Sequence, residues 1–173
     1  MRTVNLLTNK VNSMTEIASL RAQHDAVEAM IGDLSADLAH HSGEADAYPL
    51  SLKLARLAGA LRSHLATEAE TLYPPMIESD HREAALAARV YRDEVTHLAL
   101  RFDRFVERWS DAEAIAAARR QFRFEAGMLF AALRDRIHRE NRDLFPLAEE
   151  AGARKAALAF ARPPAALAAA SAA

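Results

Sequence analysis

Apolar residues recur at three- and four-residue steps along four stretches of the chain, the spacing that lines one face of an α-helix. In the first stretch Ile17, Leu20, His24, Val27, Ile31, Leu34 and Leu38 share a face, preceded by the capping-box pattern Ser13-Met14-Thr15-Glu16. That helix is expected to end near His40-His41-Ser42-Gly43. Pro49 suits the first turn of a second helix, with Leu54, Leu57, Leu61, His64, Glu68 and Leu72 in line. Pro74-Pro75 is expected to close or bend it. Asp80 with Glu83 marks a third start, followed by Leu86, Val90, His97, Phe105 and Trp109 in a less regular stripe. Ser110-Asp111-Ala112-Glu113 opens a fourth, carrying Phe122, Leu129, Leu133, Arg136, Glu140 and Leu144, with Pro146 ending the main run. Long helices with short connections predict an all-α domain, an up-down-up-down antiparallel four-helix bundle. The expected organisation is an N-terminal extension over 1–12, the bundle over 13–150 and an alanine-rich tail over 151–173, interrupted by Arg162, Pro163 and Pro164.

Composition narrows the chemistry. A chain of 173 residues is long enough to bury one real core. The absence of cysteine removes disulfides, thiolate metal sites and a cysteine nucleophile, so any metal must take nitrogen and oxygen ligands. A net charge of −2 gives no electrostatic reason to expect nucleic acid or an anionic membrane as partner. The start, MRTVNLLTNK, lacks the apolar run of a signal peptide, and no uncharged stretch reaches membrane-spanning length. A cytoplasmic location is the expectation. No glycine-rich phosphate loop and no Gly-x-Ser-x-Gly elbow are present.

Polar residues fall where the core should be. His24, His64 and His97 each interrupt an apolar stripe, and so do Glu68 and Glu140. One buried histidine is ordinary hydrogen-bonded structure. Several ionisable groups together cost several kcal/mol each, roughly, unless a counter-charge is present. A divalent cation is the simplest counter-charge. His64 and Glu68 are four residues apart, about 40° around a helix, so both can reach one ion or bridge two. Imidazole with carboxylate suits iron, manganese or zinc.

The segment His64-Leu-Ala-Thr-Glu68-Ala-Glu-Thr-Leu72-Tyr73-Pro74 resembles the signature of hemerythrin-like (HHE cation-binding) domains. Arg136-Ile-His-Arg-Glu140-Asn-Arg-Asp-Leu144-Phe145-Pro146 resembles its second copy, and the resemblance spans about residues 14 to 150. It implies a non-haem di-iron centre between four antiparallel helices, with His24, His64, Glu68, His97 and Glu140 as ligands and the two glutamates bridging. It also implies a role in carrying, storing or sensing dioxygen, or in responding to iron, nitric oxide or peroxide.

One position departs from the pattern. Aligning the Leu-aromatic-Pro endings puts Arg136 where the family has a ligand histidine. Arginine stays protonated and offers no lone pair, so it can replace a metal's charge but not a ligand. Lying four residues before Glu140, it is placed for a buried ion pair, with Glu68 within reach across the bundle. His138 lies about 200° around the helix from Arg136 and should point away unless a π-bulge rotates it. The expectation is one or two irons, or none if Arg136 takes over the charge; zinc and manganese remain alternatives.

Secondary candidates have plainer readings. Glu28 and Asp93 read as surface acids before extra ligands, Glu125 near the fourth stripe has a weak claim to the site, and His40, His41 and His81 read as exposed helix-end residues. Tyr73 and Phe145 read as bundle-end packing, and Phe102, Phe105 and Trp109 as core. The leading reading is a cytoplasmic oxygen or redox sensor with an altered centre and more a binding protein than an enzyme. Its rival is a metal-free bundle that binds a protein partner, and a small redox enzyme comes last because no general acid or base argues for it.

Overall fold

The computed structural model describes residues 2–40 and 47–161, leaving aside the side chains of 2–14, 40, 156 and 159–161. The described residues are helical apart from short connections, with no strand among them. In order they form α1 (Arg2–His40), α2 (Ala47–Thr67), a π-helical turn (Glu68–Leu72), α3 (Tyr73–Ile77), α4 (Arg82–Trp109), α5 (Ala112–Ala117), α6 (Arg119–Arg139), a second π-helical turn (Glu140–Leu144) and α7 (Phe145–Ala161).

Several boundaries differ from the sequence expectations. The Ser13 pattern starts no helix, because α1 runs through it from Arg2. Pro146 does not end the last helix, since α7 continues to Ala161. Proline is tolerated in a first turn, where its missing N–H has no intrahelical acceptor to lose. The N-cap of α4 is His81, not Asp80: its Nδ1 accepts from the Ala84 amide at 3.2 Å. The expected fourth helix begins at Asp111, whose carboxylate accepts from the Glu113 amide at 3.0 Å, but it breaks at Ala118 (φ −134°, ψ 43°) before α6 resumes. The expected stop at His41, Ser42 and Gly43 and the interruption at Arg162, Pro163 and Pro164 lie outside the described residues.

The correction on α4 matters most. Its buried row is Ala84, Ala88, Phe102, Phe105 and Trp109, with Tyr91, Val95 and Leu98 half-buried between them. Leu86, Val90 and His97 are exposed, on the opposite side of the helix. Sequence pattern alone favoured the larger Leu and Val. The alanines won because they pack into the small cluster that contains Tyr73 and Met76 of α3.

α1 runs opposite in direction to both α2 and α6. Between α1 and α2, Asp37 meets Lys53 at 2.5 Å while His24 meets His64 at 3.1 Å. Between α1 and the α6 side, Leu38 meets Arg123, Glu28 meets His138, and His24 meets Asn141. The buried apolar residues fall into two clusters. One holds Phe102, Phe105, Trp109, Phe122 and Phe130 with the aliphatics of α1, α2 and α6. The other holds Ile17, Leu20, Leu72, Tyr73, Leu144 and Phe145. Along α1, α2 and α6 the polar residues come between these two sets, so a charged layer is clamped between two apolar ones.

Phe122 is fully buried, with its ring centroid 5.7 Å from Phe105 and 5.3 Å from Trp109, whereas Phe124 two residues on is 67% exposed. Phe122→Ala should lower the unfolding free energy by about 3–5 kcal/mol and Phe124→Ala by under about 0.5 kcal/mol. Denaturant titration followed by circular dichroism measures both.

Candidate metal centre

Two local distortions build the site. Pro74 and Pro146 lack the N–H that would close an ordinary helical turn, and their rings crowd the carbonyl four residues back. The turn before each opens to a five-residue hydrogen bond, Tyr73 N–H to Glu68 O and Phe145 N–H to Glu140 O. In a regular α-helix residues five apart point about 140° away from each other. The wider π turn places Tyr73 beside Glu68, and its hydroxyl donates to Glu68 Oε2 at 3.2 Å.

His24, His64, Glu68 and Glu140 are all buried, and one ligand atom from each lies within 4.8 Å of the others. The two Nε2 atoms of His24 and His64 stand 3.1 Å apart. His24 Nε2 is 3.2 Å from Glu140 Oε2, and His64 Nε2 is 3.7 Å from Glu68 Oε1. The other ring nitrogens face amide oxygens: His24 Nδ1 is 3.0 Å from Asn141 Oδ1, and His64 Nδ1 is 3.1 Å from Gln23 Oε1. Without a metal His24 Nε2–H can donate to Glu140 Oε2, but with both Nδ1–H groups donated outward both Nε2 lone pairs point inward at each other. Such a pair repels unless a cation sits between them. Outward N–H donation is also how metal-ligating histidines are held. Neighbouring ligands on an ion with bonds of about 2.1 Å are about 3 Å apart, so the imidazole separation fits a shared ion. Glu68 Oε1 has no hydrogen-bond partner among the described residues, as a carboxylate reserved for an ion would not.

Arg136 takes the remaining space. It is buried and ion-pairs with Glu140 through one terminal nitrogen. The same nitrogen donates to the Tyr73 hydroxyl at 2.8 Å, and the other donates to the Tyr91 carbonyl at 2.9 Å. The guanidinium thus reaches Glu68 through Tyr73 instead of touching it.

Protonation follows from this arrangement. Burial and repulsion from Glu140 raise the Glu68 carboxyl to about 8, against a partial pull down from Arg136. Burial lowers His64 to about 4, reinforced by His24. Burial also pushes Glu140 upward, but its His24 hydrogen bond and Arg136 outweigh this and hold it below the usual carboxylate range. Tyr73 is raised, chiefly by burial and then by Glu68, and stays a phenol. Without a metal and with Glu68 protonated, Glu140 is the carboxylate that Arg136 balances.

The remaining expected residues fall elsewhere. His97 is exposed on α4 and does not join the cluster, because the buried row of that helix runs through Ala88 and Tyr91. His138 is exposed and pairs with Glu28 at 2.9 Å; the π turn begins at Glu140, too late to rotate it inward. Asp93 contacts its neighbour Arg92 at the surface, and Glu125 holds Trp109 and Arg108 at 2.8 Å each. His81 is a half-buried cap. Gln23, Tyr73, Asn141 and Phe145 were not foreseen as site residues. Phe145 stacks on the His24 ring at 5.2 Å, and Gln23 and Asn141 stand next in sequence to His24 and Glu140.

A helical bundle that buries two imidazoles and two carboxylates around one point has the arrangement of a cation-binding bundle. Residues 15–148 match the family described as the hemerythrin HHE cation-binding domain, and the chain belongs to that family. No curated protein and no solved structure matches it.

In the metal-free protein the raised Glu68 contributes stability that is fully present below its unfolded value of 4.5 and is lost as pH rises through about 8. Glu68→Gln removes that titration, while His64 titrates in both proteins. The stability gain of the variant over metal-free wild type should grow from pH 4.5 to 8, reach a few kcal/mol, roughly, and then level off. Thermal unfolding in chelator across this range checks it; a pH-independent difference contradicts it.

Proposed function

We propose that this chain is an HHE domain with a one-ion centre, bound by His24, His64, Glu68 and Glu140, with Arg136 supplying the positive charge of a second ion. The single observation that carries this reading is the pair of Nε2 atoms 3.1 Å apart, facing two carboxylates inside a sealed core. Charge favours one ion over two. Two carboxylates opposing one divalent ion and one guanidinium already leave a net positive layer, and a second ion would add two more charges to a buried site where screening is weak. Iron is the first candidate, with zinc and manganese next, since imidazole and carboxylate suit all three. The architecture we assign is an antiparallel up-down-up-down four-helix bundle, supported by the opposed pairings of α1 with α2 and of α1 with α6.

The role we propose is an oxygen or redox sensor in the cytoplasm. An iron bound here would supply a reversible one-electron change and a position open to a small diatomic ligand. This chain's own residues then orient and protect it: Gln23 and Asn141 fix the imidazole rings, Tyr73 and Arg136 fix the carboxylates, and the apolar layers exclude water. A cavity of about 20 Å³ beside His64, Arg136 and Glu140, walled by Val95, Leu98 and Leu133, has room for about one water or diatomic molecule. No helix among the described residues is long and apolar enough to cross a membrane. A second reading is a metal-free bundle that binds a protein partner, favoured by the finished Arg136–Glu140 pair.

Metal analysis after reconstitution with ferrous iron separates the readings. The one-ion centre predicts about one iron per chain, rising toward about two in Arg136→His, which restores a nitrogen ligand and removes the fixed charge. About two irons in wild type would refute the charge substitution, and none in either protein would favour the metal-free module.

A further inference from the structure

The outer face of α4 carries a second stripe that nothing among the described residues covers. Leu86, Val90 and Leu100 are 63%, 48% and 52% exposed, and with Asp93 and His97 they lie on one line at three- and four-residue steps. Charges close the line at both ends: Arg82 and Glu83 at the start, Arg104 and Glu107 at the finish, all four exposed. None of these four side chains makes an ion pair within the described residues.

The arrangement is nearly palindromic about residues 93 and 94. Leu86 and Leu100 are equidistant from residue 93, and Val90 and His97, like Glu83 and Arg104, from the midpoint of residues 93 and 94. When two identical helices pack antiparallel about a twofold axis, each residue faces its mirror position, and each flank meets the same flank of the other copy. Glu83 and Arg104 share one flank, Arg82 and Glu107 the other. We propose that α4 is a homodimer contact in which two copies of this chain pack antiparallel, with the axis next to Asp93. Leu86 then packs on the second copy's Leu100 and Val90 beside its His97. Glu83 pairs with Arg104 and Arg82 with Glu107 across the contact, each pair occurring twice. A parallel pairing would set Glu83 against Glu83 and Arg104 against Arg104, so charge selects the antiparallel one. Asp93 near the axis is the unfavourable element; His97 of the other copy lies about one turn away and offers it a donor.

Two experiments on the full chain test this. Sedimentation over a concentration series should show a reversible dimer. Glu83→Arg or Arg104→Glu alone should raise its dissociation constant by about tenfold or more, and the double reversal should restore it to within about threefold of wild type. Because the chain has no cysteine, single cysteines report the register. Asp93→Cys should cross-link to itself under mild oxidation. Leu86→Cys should not, but should cross-link when mixed with Leu100→Cys. A monomer at every concentration up to the order of 1 mM overturns the proposal and leaves the face to a different protein. Self-linking of Leu86→Cys, or no rescue in the double reversal, overturns the antiparallel register.

Discussion

Everything in this molecule is arranged around one electrostatic constraint: two carboxylates and a guanidinium share a dry layer between two apolar clusters. Glu68, Arg136 and Glu140 are essentially excluded from solvent, and removing either member of the Arg136–Glu140 pair would leave an uncompensated buried charge. Glu140 is matched directly by Arg136, whereas Glu68 meets only a phenol and an imidazole edge. The layer is thus one positive charge short when both carboxylates are ionised. That shortfall is what suits the layer to a cation, and in the function we propose the arginine limits the number of cations to one.

The same layer ties local chain geometry to chemistry. Each Glu is followed by a π turn forced open by a proline, and each turn rotates an aromatic residue toward the centre. Tyr73 thereby becomes the link between Arg136 and Glu68, and Phe145 becomes the wall against which the His24 ring stacks. Rigid placement of this kind has an energetic cost: a carboxyl raised to about 8 weakens the fold at neutral pH unless something positive arrives. Binding of an ion would return that cost, so the ion and the fold should stabilise each other.

Much of this was legible in the sequence. Every residue named on the stripes of α1, α2 and α6 is buried, because large apolar side chains at helical spacing leave few alternatives, although Leu50, Phe130 and Ile137 are buried beside them without having been named. Arg136 as an ion-pair partner of Glu140 also follows from spacing alone. The α4 stripe misled because alanine, not leucine, fills its tight contact with α3, and His97 went to the surface with that error. Tyr73 was placed at the bundle end because periodicity assumes 3.6 residues per turn, and the π turn breaks that assumption at the site itself. Gln23 and Asn141 had only one signal, an amide next in sequence to a ligand residue, which is common in any helix. Helix continuation past Pro146 shows the same limit: a proline's effect depends on whether its neighbours still need its hydrogen bond.

The most direct measurement is a crystal structure of the iron-reconstituted protein with anomalous scattering collected at the iron edge. The account predicts a single anomalous peak between His24 Nε2 and His64 Nε2, in contact with Glu68 and Glu140, with Arg136 still paired to Glu140. Two peaks in that layer, or one peak with Arg136 expelled to solvent, would contradict it.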